Sequence, residues 1–399
     1  MKKTGLPVYL DHNASTPVLP VVVDAMLPYL REHFGNPSST HVYGKTLREA
    51  VERAREQVAR LIDCTPEEVF FTSGGTEANN LAIRGLAAAK PDRRHILTSV
   101  IEHPATAGPC VWLEQHGYTV FRAPVDETGR VVLERVREHL GQETALVTIM
   151  HANSETGMLQ PIPEIADMAH AAGSLIHIDA AQSCGKIIVS IIREKVDLLS
   201  IAGHKLYAPK GVGALFVRGG TLIKPLVIGA DHERGLRPGT ENVASIVGLG
   251  QACETARHSL AKEGERVSRL RDRLWGLLRE AVPGIAMNGC PGDRLPNTLS
   301  VRFPGVSGNV LLASCPGIAA STGSACHEGG DSASEVILAM GIPEAEAIGT
   351  VRLSLGRQNT REEIELAAAE LIKAWTKLTQ AFYERTRRDG PLLNERLIK

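Results

Sequence analysis

Ser200-Ile-Ala-Gly-His-Lys-Leu-Tyr-Ala-Pro-Lys-Gly211 sets one lysine, Lys205, between an apolar strand-like run and a glycine turn. An amine at a strand end, partly withdrawn from water, gives up its proton more readily than a free lysine. It can then form a Schiff base with an aldehyde. Upstream, His177-Ile-Asp-Ala-Ala-Gln182 puts a carboxylate, Asp179, at the end of a second apolar run. A Schiff-base lysine and an acid that keeps a pyridinium nitrogen protonated are the two groups pyridoxal phosphate requires.

Outward from this stretch, short apolar runs alternate with helical patterns, the signature of βα units around a mainly parallel sheet. Strands are predicted at Val69–Ser73, His95–Val100, Thr119–Ala123, Ala145–His151, Leu175–Ala180, Leu198–Ala202 and Val212–Val217. Helices are predicted at Glu77–Lys90, after a Gly-Gly-Thr turn, and at Pro161–Ala172, with prolines at its start. Arg48–Leu61 reads as an exposed amphipathic helix, its glutamates and arginines opposite Ala50, Ala54, Val58 and Leu61. After about residue 250 the pattern turns α+β. A long charged helix over Ala252–Val282 precedes strands at Thr298–Phe303 and Thr350–Leu355 and a closing helix from Glu362.

The 399 residues are 43% hydrophobic and 22% charged, the balance of an ordinary soluble globular protein. Lys plus Arg number 44 against 45 Asp plus Glu, so the net charge of −1 argues against nucleic acid held by bulk charge. Seven widely spaced cysteines without any Cys-x-x-Cys make neither a disulfide framework nor a zinc site, and no metal is expected. No apolar run approaches the roughly 18–20 residues that span a bilayer. A cytoplasmic protein without a membrane partner is expected.

Phe70-Phe-Thr-Ser-Gly-Gly-Thr-Glu-Ala-Asn-Asn80 runs from strand to glycine turn to helix, and such a helix N-terminus binds anions through its free N–H groups. Taken alone it is also an ordinary βα turn. Ile101-Glu-His-Pro104 places His103 just past a strand, where it can stack on a planar cofactor and move protons near neutral pH. Thr350-Val-Arg-Leu-Ser354 buries Arg352 in an apolar strand, so the guanidinium needs a carboxylate from the protein or from a substrate. Ser321-Thr-Gly-Ser-Ala-Cys-His-Glu-Gly-Gly330 carries Cys326 on a run of small residues, which favours an accessible nucleophilic thiol over a buried one.

In this order, these motifs resemble the NifS/IscS-like cysteine desulfurases within the class-V aminotransferases of PLP fold type I. Tyr9-Leu-Asp-His-Asn-Ala-Ser-Thr-Pro17, Phe34-Gly-Asn-Pro-Ser-Ser39 and Arg237-Pro-Gly-Thr-Glu-Asn242 complete the set, and the likeness runs nearly end to end. The resemblance implies an α/β large domain over 15–255, with a mainly parallel seven-stranded sheet between helices. A small α+β domain of 1–14 and 256–399 would carry the cysteine loop. It implies that Lys205 holds the cofactor, Asp179 its ring nitrogen, Gln182 its ring oxygen and His103 its face. Gly75, Thr76 and His204 would bind the phosphate, joined by Thr240 from the second subunit of a homodimer. Arg352, with Asn13 and Ser154, would bind the substrate, and Cys326 would take the sulfur. Two positions depart from the family. Ser154 stands where an asparagine is common, and Ala202 replaces a frequent serine that donates to the phosphate.

The implied reaction converts L-cysteine to alanine, with the sulfur passed to Cys326 and on to an acceptor such as an iron–sulfur scaffold. The nearest rival is selenocysteine lyase acting on L-selenocysteine, which shares the cofactor residues and the Ala-Cys-His triplet. A plain aminotransferase would not need Cys326. A catalytically silent scaffold would not need the set of Lys205, Asp179, His103, Arg352 and Cys326.

Overall fold

The computed structural model describes residues 5–323 and 332–389, so Cys326 lies outside the described residues. Strand β1 (Val8–Tyr9) precedes helices α1 (Pro20–Arg31) and α2 (Val42–Ile62). The chain then alternates through β2 (Val69–Thr72), α3 (Gly75–Ala89), β3 (His95–Ser99), α4 (Pro104–Gln115), β4 (Thr119–Ala123), α5 (Leu133–His139), β5 (Thr144–Met150), α6 (Ile162–Ala171), β6 (Leu175–Asp179), β7 (Leu198–Ala202) and β8 (Gly213–Val217). These seven strands form one sheet in the order β2-β8-β7-β6-β5-β3-β4.

All neighbours in that sheet are parallel except those of β8, which is antiparallel to both β7 and β2. The cause is chain length. Only residues 203–212 join β7 to β8, and a parallel return needs a crossover of a dozen residues or more. Side chains alternate between two apolar layers, as strand geometry requires. Ile96, Leu146, Leu198 and Leu215 pack with α3, while Leu97, Val147, Leu199 and Phe216 pack with α2, α6 and the start of the next helix.

That helix, α7 (Val243–Ala281), is 39 residues long and starts nine residues before the predicted position. Asn242 caps it by accepting from Ser245 N. Small residues hid its start, because Gly248 and Gly250 let it approach α1 and α2 closely. A Cβ on Gly250 would lie 2.7 Å from Ala54 Cα. The helix runs unbroken through residue 255. Val243 to Ala256 belong to the main core, and Val267, Leu274 and Leu278 to a second one. The second core is completed by β9 (Ala286–Met287), β10 (Thr298–Arg302), α8 (Gly308–Ala313), β11 (Ile318–Ala319), β12 (Thr350–Ser354) and α11 (Arg361–Asp389), whereas α9 (Glu335–Ala339) and α10 (Glu344–Ala347) pack on the main core through Ile337, Met340 and Ala347. There β12-β10-β9 form an antiparallel sheet, and β1 returns to pair with β11, with Leu10 joining that core.

One expectation for α2 fails. The helix is amphipathic, yet Arg55 is only 3% exposed. Its guanidinium meets Glu233 through two hydrogen bonds of 2.8 Å, which no local pattern on α2 announces.

Candidate active site

Strands β3, β5, β6 and β7 are parallel, so their carboxyl ends share one edge of the sheet, the usual ligand edge of an open α/β fold. Asp179 ends β6 and is 7% exposed. Asn79 Nδ2 on α3 donates to its Oδ2 at 2.7 Å, and Ala181 N donates to its Oδ1 at 2.9 Å. Lys205 follows β7. Burial pushes its amine down to about 8, the Arg352 charge adding to the effect and Asp179 and Asp11 opposing it.

His103 caps α4, its Nδ1 accepting from Ala105 N at 3.1 Å, so Nε2 is the ring edge left for proton transfer. Burial lowers its pKa, Lys205 lowers it further and Asp179 pulls the other way. Glu102 beside it accepts from Ser99 Oγ at 2.6 Å and from Met150 N at 3.0 Å, locking the ends of β3 and β5 together. Burial raises the Glu102 carboxyl to about 8, so at neutral pH it is largely protonated.

The anion end lies at α3. Gly74 has φ 152° and caps the helix without a side chain, leaving the first-turn N–H groups to a ligand. The turn is tight. A Cβ at Gly213 on β8 would come 2.8 Å from Gly74 Cα, and a Cβ at Gly75 would meet Ala202 at 3.1 Å. Thr76 and His103 line a cleft of about 440 Å³ between α3 and α4. His204 is half-buried, 3.3 Å from Ser15 Oγ, and burial with the nearby lysines holds its imidazole down to about 4. Thr240 is exposed.

On the substrate side, Arg352 is 4% exposed, and it has an internal partner. Its Nη2 donates to Asp11 Oδ1 at 2.7 Å and its Nη1 to Ser154 O at 3.2 Å. Arg352 pairs across the backbone with Ser321, two residues before the described chain stops short of Cys326. Glu155 holds the other end of that segment, accepting from Ser334 Oγ at 2.5 Å. Asn13 is 1% exposed and fully engaged, its Nδ2 donating to Ser154 O and Thr298 Oγ1. Ser154 therefore acts here through its carbonyl. Gln182 donates to Asn13 O at 3.0 Å and accepts from Lys186 Nζ at 2.7 Å.

The structure thus brings Lys205, Asp179, His103, the Gly75-Thr76 turn, His204 and Arg352 to one region, and Asn13 and Gln182 into a network beneath it. The donor set fits pyridoxal phosphate: a lowered amine, a carboxylate fixed by two N–H donors, an imidazole with one free nitrogen, and a helix N-terminus open to phosphate. Sequence reading missed Asn79, Asp11, Glu155 and Lys186. Asn79 had a visible signal, a polar residue on the otherwise apolar face of Ala78, Leu81 and Ala82.

Residues 8–366 match the family Aminotransferase class-V. The chain is 46% identical over 360 residues to a cysteine desulfurase of Nostoc sp., covering 90% of each. It is 45% identical over 367 residues to the cysteine desulfurase NifS of Azotobacter vinelandii, covering 91% of each. A solved NifS-like protein superimposes with a TM-score of 0.87 at 37% identity, over 94% of this chain and 100% of that one.

Proposed function

The chain belongs to the class-V aminotransferases, as a NifS/IscS-like pyridoxal-phosphate enzyme, and we propose that it acts as a cysteine desulfurase with Cys326 as sulfur acceptor. One observation carries the assignment of Cys326. Arg352, the group suited to a substrate carboxylate, is strand-paired with Ser321, and Glu155 grips Ser334. Both ends of the segment bearing Cys326 are therefore anchored around the substrate site.

Bound at Lys205, pyridoxal phosphate supplies an electron sink for the carbanion at the substrate Cα. Asp179 keeps the ring nitrogen protonated, and Asn79 and Ala181 N hold that carboxylate in place. The α3 N-terminus with Thr76 and His204 takes the phosphate. Arg352 orients the amino acid by its carboxylate. The Lys205 amine, already near neutrality, removes the Cα proton. The Cys326 thiolate bonds to the substrate sulfur as the Cβ–S bond breaks, and the electron pair of that bond stays with the carbon fragment. His103 Nε2 moves the thiol protons. The carbon fragment is protonated at Cβ and, by Lys205, at Cα, and leaves as alanine, and the persulfide sulfur passes to an acceptor such as an iron–sulfur scaffold protein.

Two further parts belong to this proposal. The working unit is a homodimer in which Thr240 reaches the partner's phosphate, supported by Thr240 being exposed and by Val227 and Ile228, 60% and 97% exposed, shortly before it. The compartment is the reducing cytoplasm, which keeps the acceptor thiol free. The test is Cys326→Ser, which should retain the cofactor's visible absorbance and release neither sulfide nor alanine from cysteine. Full turnover by that variant refutes the thiol's role. Turnover of selenocysteine but not cysteine by the unaltered protein would give the lyase reading instead.

A further inference from the structure

Lys186 is a half-buried amine for which the reaction above has no use. Its Nζ donates to Gln182 Oε1 at 2.7 Å and to Asn13 Oδ1 at 3.0 Å. Among the described residues no carboxylate accepts from it. Burial, with the like charges of Lys205 and Arg352, pushes its ammonium well below the usual lysine range. A half-buried lysine whose hydrogen-bond partners among the described residues are two neutral oxygens is costly unless it does something specific.

What it does is legible in the amides around it. Asn13 Nδ2 donates to Ser154 O and Thr298 Oγ1, and its Oδ1 also accepts from Asn297 Nδ2. That orientation is fixed, so Lys186 must be a donor to Asn13. Gln182 Nε2 faces the carbonyl of Asn13, which can only accept, so its Oε1 faces Lys186. One N–H of Gln182 then remains without an acceptor among the described residues.

We propose that Lys186 is a positioning residue: it pins Oε1 of Gln182 so that the free N–H is presented, as a donor, to the ring oxygen of pyridoxal phosphate. Through Asn13 the same grip ties the cofactor floor to β10 and β12, the strands of Thr298 and Ser354. This rests on the cofactor assignment above. Without Lys186, Oε1 is left buried with no donor, and the amide rotates to find one.

A donor to the ring oxygen favours its deprotonated form. Lys186→Met should therefore raise, by about one unit, the midpoint pH at which the bound cofactor's visible band titrates, and weaken cofactor affinity about tenfold. Gln182→Leu should reproduce both changes, and adding Lys186→Met to it should add little. Lys186→Gln keeps a donor for Oε1 and should hold the unaltered midpoint even where melting temperature falls. A Lys186→Met protein with the unaltered midpoint overturns the proposal. Should that variant not fold, a Lys186→Gln protein that titrates like Gln182→Leu overturns it equally. Failure of the unaltered protein to bind the cofactor at all would instead refute the underlying assignment.

Discussion

Glu233 is the residue whose alteration tests the structural reading most directly. It is buried, with side-chain exposures of 4% for Arg55 and 3% for Glu233. It accepts three hydrogen bonds of 2.8 Å, two from Arg55 and one from Phe71 N. Glu233 and Arg234 both sit in left-handed backbone, at φ 47° and 55°, which costs non-glycine residues roughly 1–2 kcal/mol each. The ion pair, with Arg234 donating to Val69 O and lying 4.1 Å over the Phe70 ring, must outweigh that strain. Glu233→Gln leaves Arg55 with only the exposed Glu52 as a charged partner. Removing one member of a buried pair costs about 3–5 kcal/mol. Urea unfolding of the apoprotein, followed by circular dichroism, should show a loss of that size. The double variant Arg55→Met/Glu233→Met should lose less than the sum of its single substitutions, because neither charge is then stranded. A Glu233→Gln loss under about 0.5 kcal/mol, or strict additivity in the double variant, would refute the reasoning.

Arg352→Lys keeps a cation for Asp11 but loses the planar fork. KM for cysteine should rise about tenfold or more with little change in melting temperature, and an unchanged KM would remove Arg352 from substrate binding. Lys205 gives a pH prediction. Its folded pKa of about 8 lies below the unfolded value of 10.5, so the unfolded chain binds more protons between these limits. Apoprotein stability should rise with pH across that window, by at most about 1.4 kcal/mol per unit from this group. Comparison with Lys205→Met isolates the contribution, and identical slopes in the two proteins would contradict it.

The strands around Lys205 were legible because each is a short, mainly apolar run with at most a few polar residues, set between helical patterns. Thr119–Ala123 and Leu198–Ala202 fall where the sequence puts them. The site residues that end those strands were legible for the same reason. What escaped was information held by pairs of distant residues. Nothing near Arg55 signals Glu233, 178 residues on. Gln182 and Asn13 read as ligand contacts, yet much of their hydrogen-bonding capacity is spent on each other and on Lys186. Arg352 was expected to need a carboxylate, and Asp11, 341 residues away, already supplies one. The reversal of β8 was in principle readable from the short link before it, a matter of chain length and not of residue type.

The position of β2 also sets an order of assembly. Among the described residues its one hydrogen-bonded neighbour in the sheet is β8, with Thr72 opposite Gly213. Strands β3 to β7 find partners among themselves as they leave the ribosome, but β2 must wait for a segment made some 140 residues later. The turn at Gly74, wedged against Gly213, cannot take its shape before then. The anion cradle is thus completed late in synthesis, and a nascent chain ending before β8 should already hold Asp179 and Lys205 yet fail to capture the cofactor.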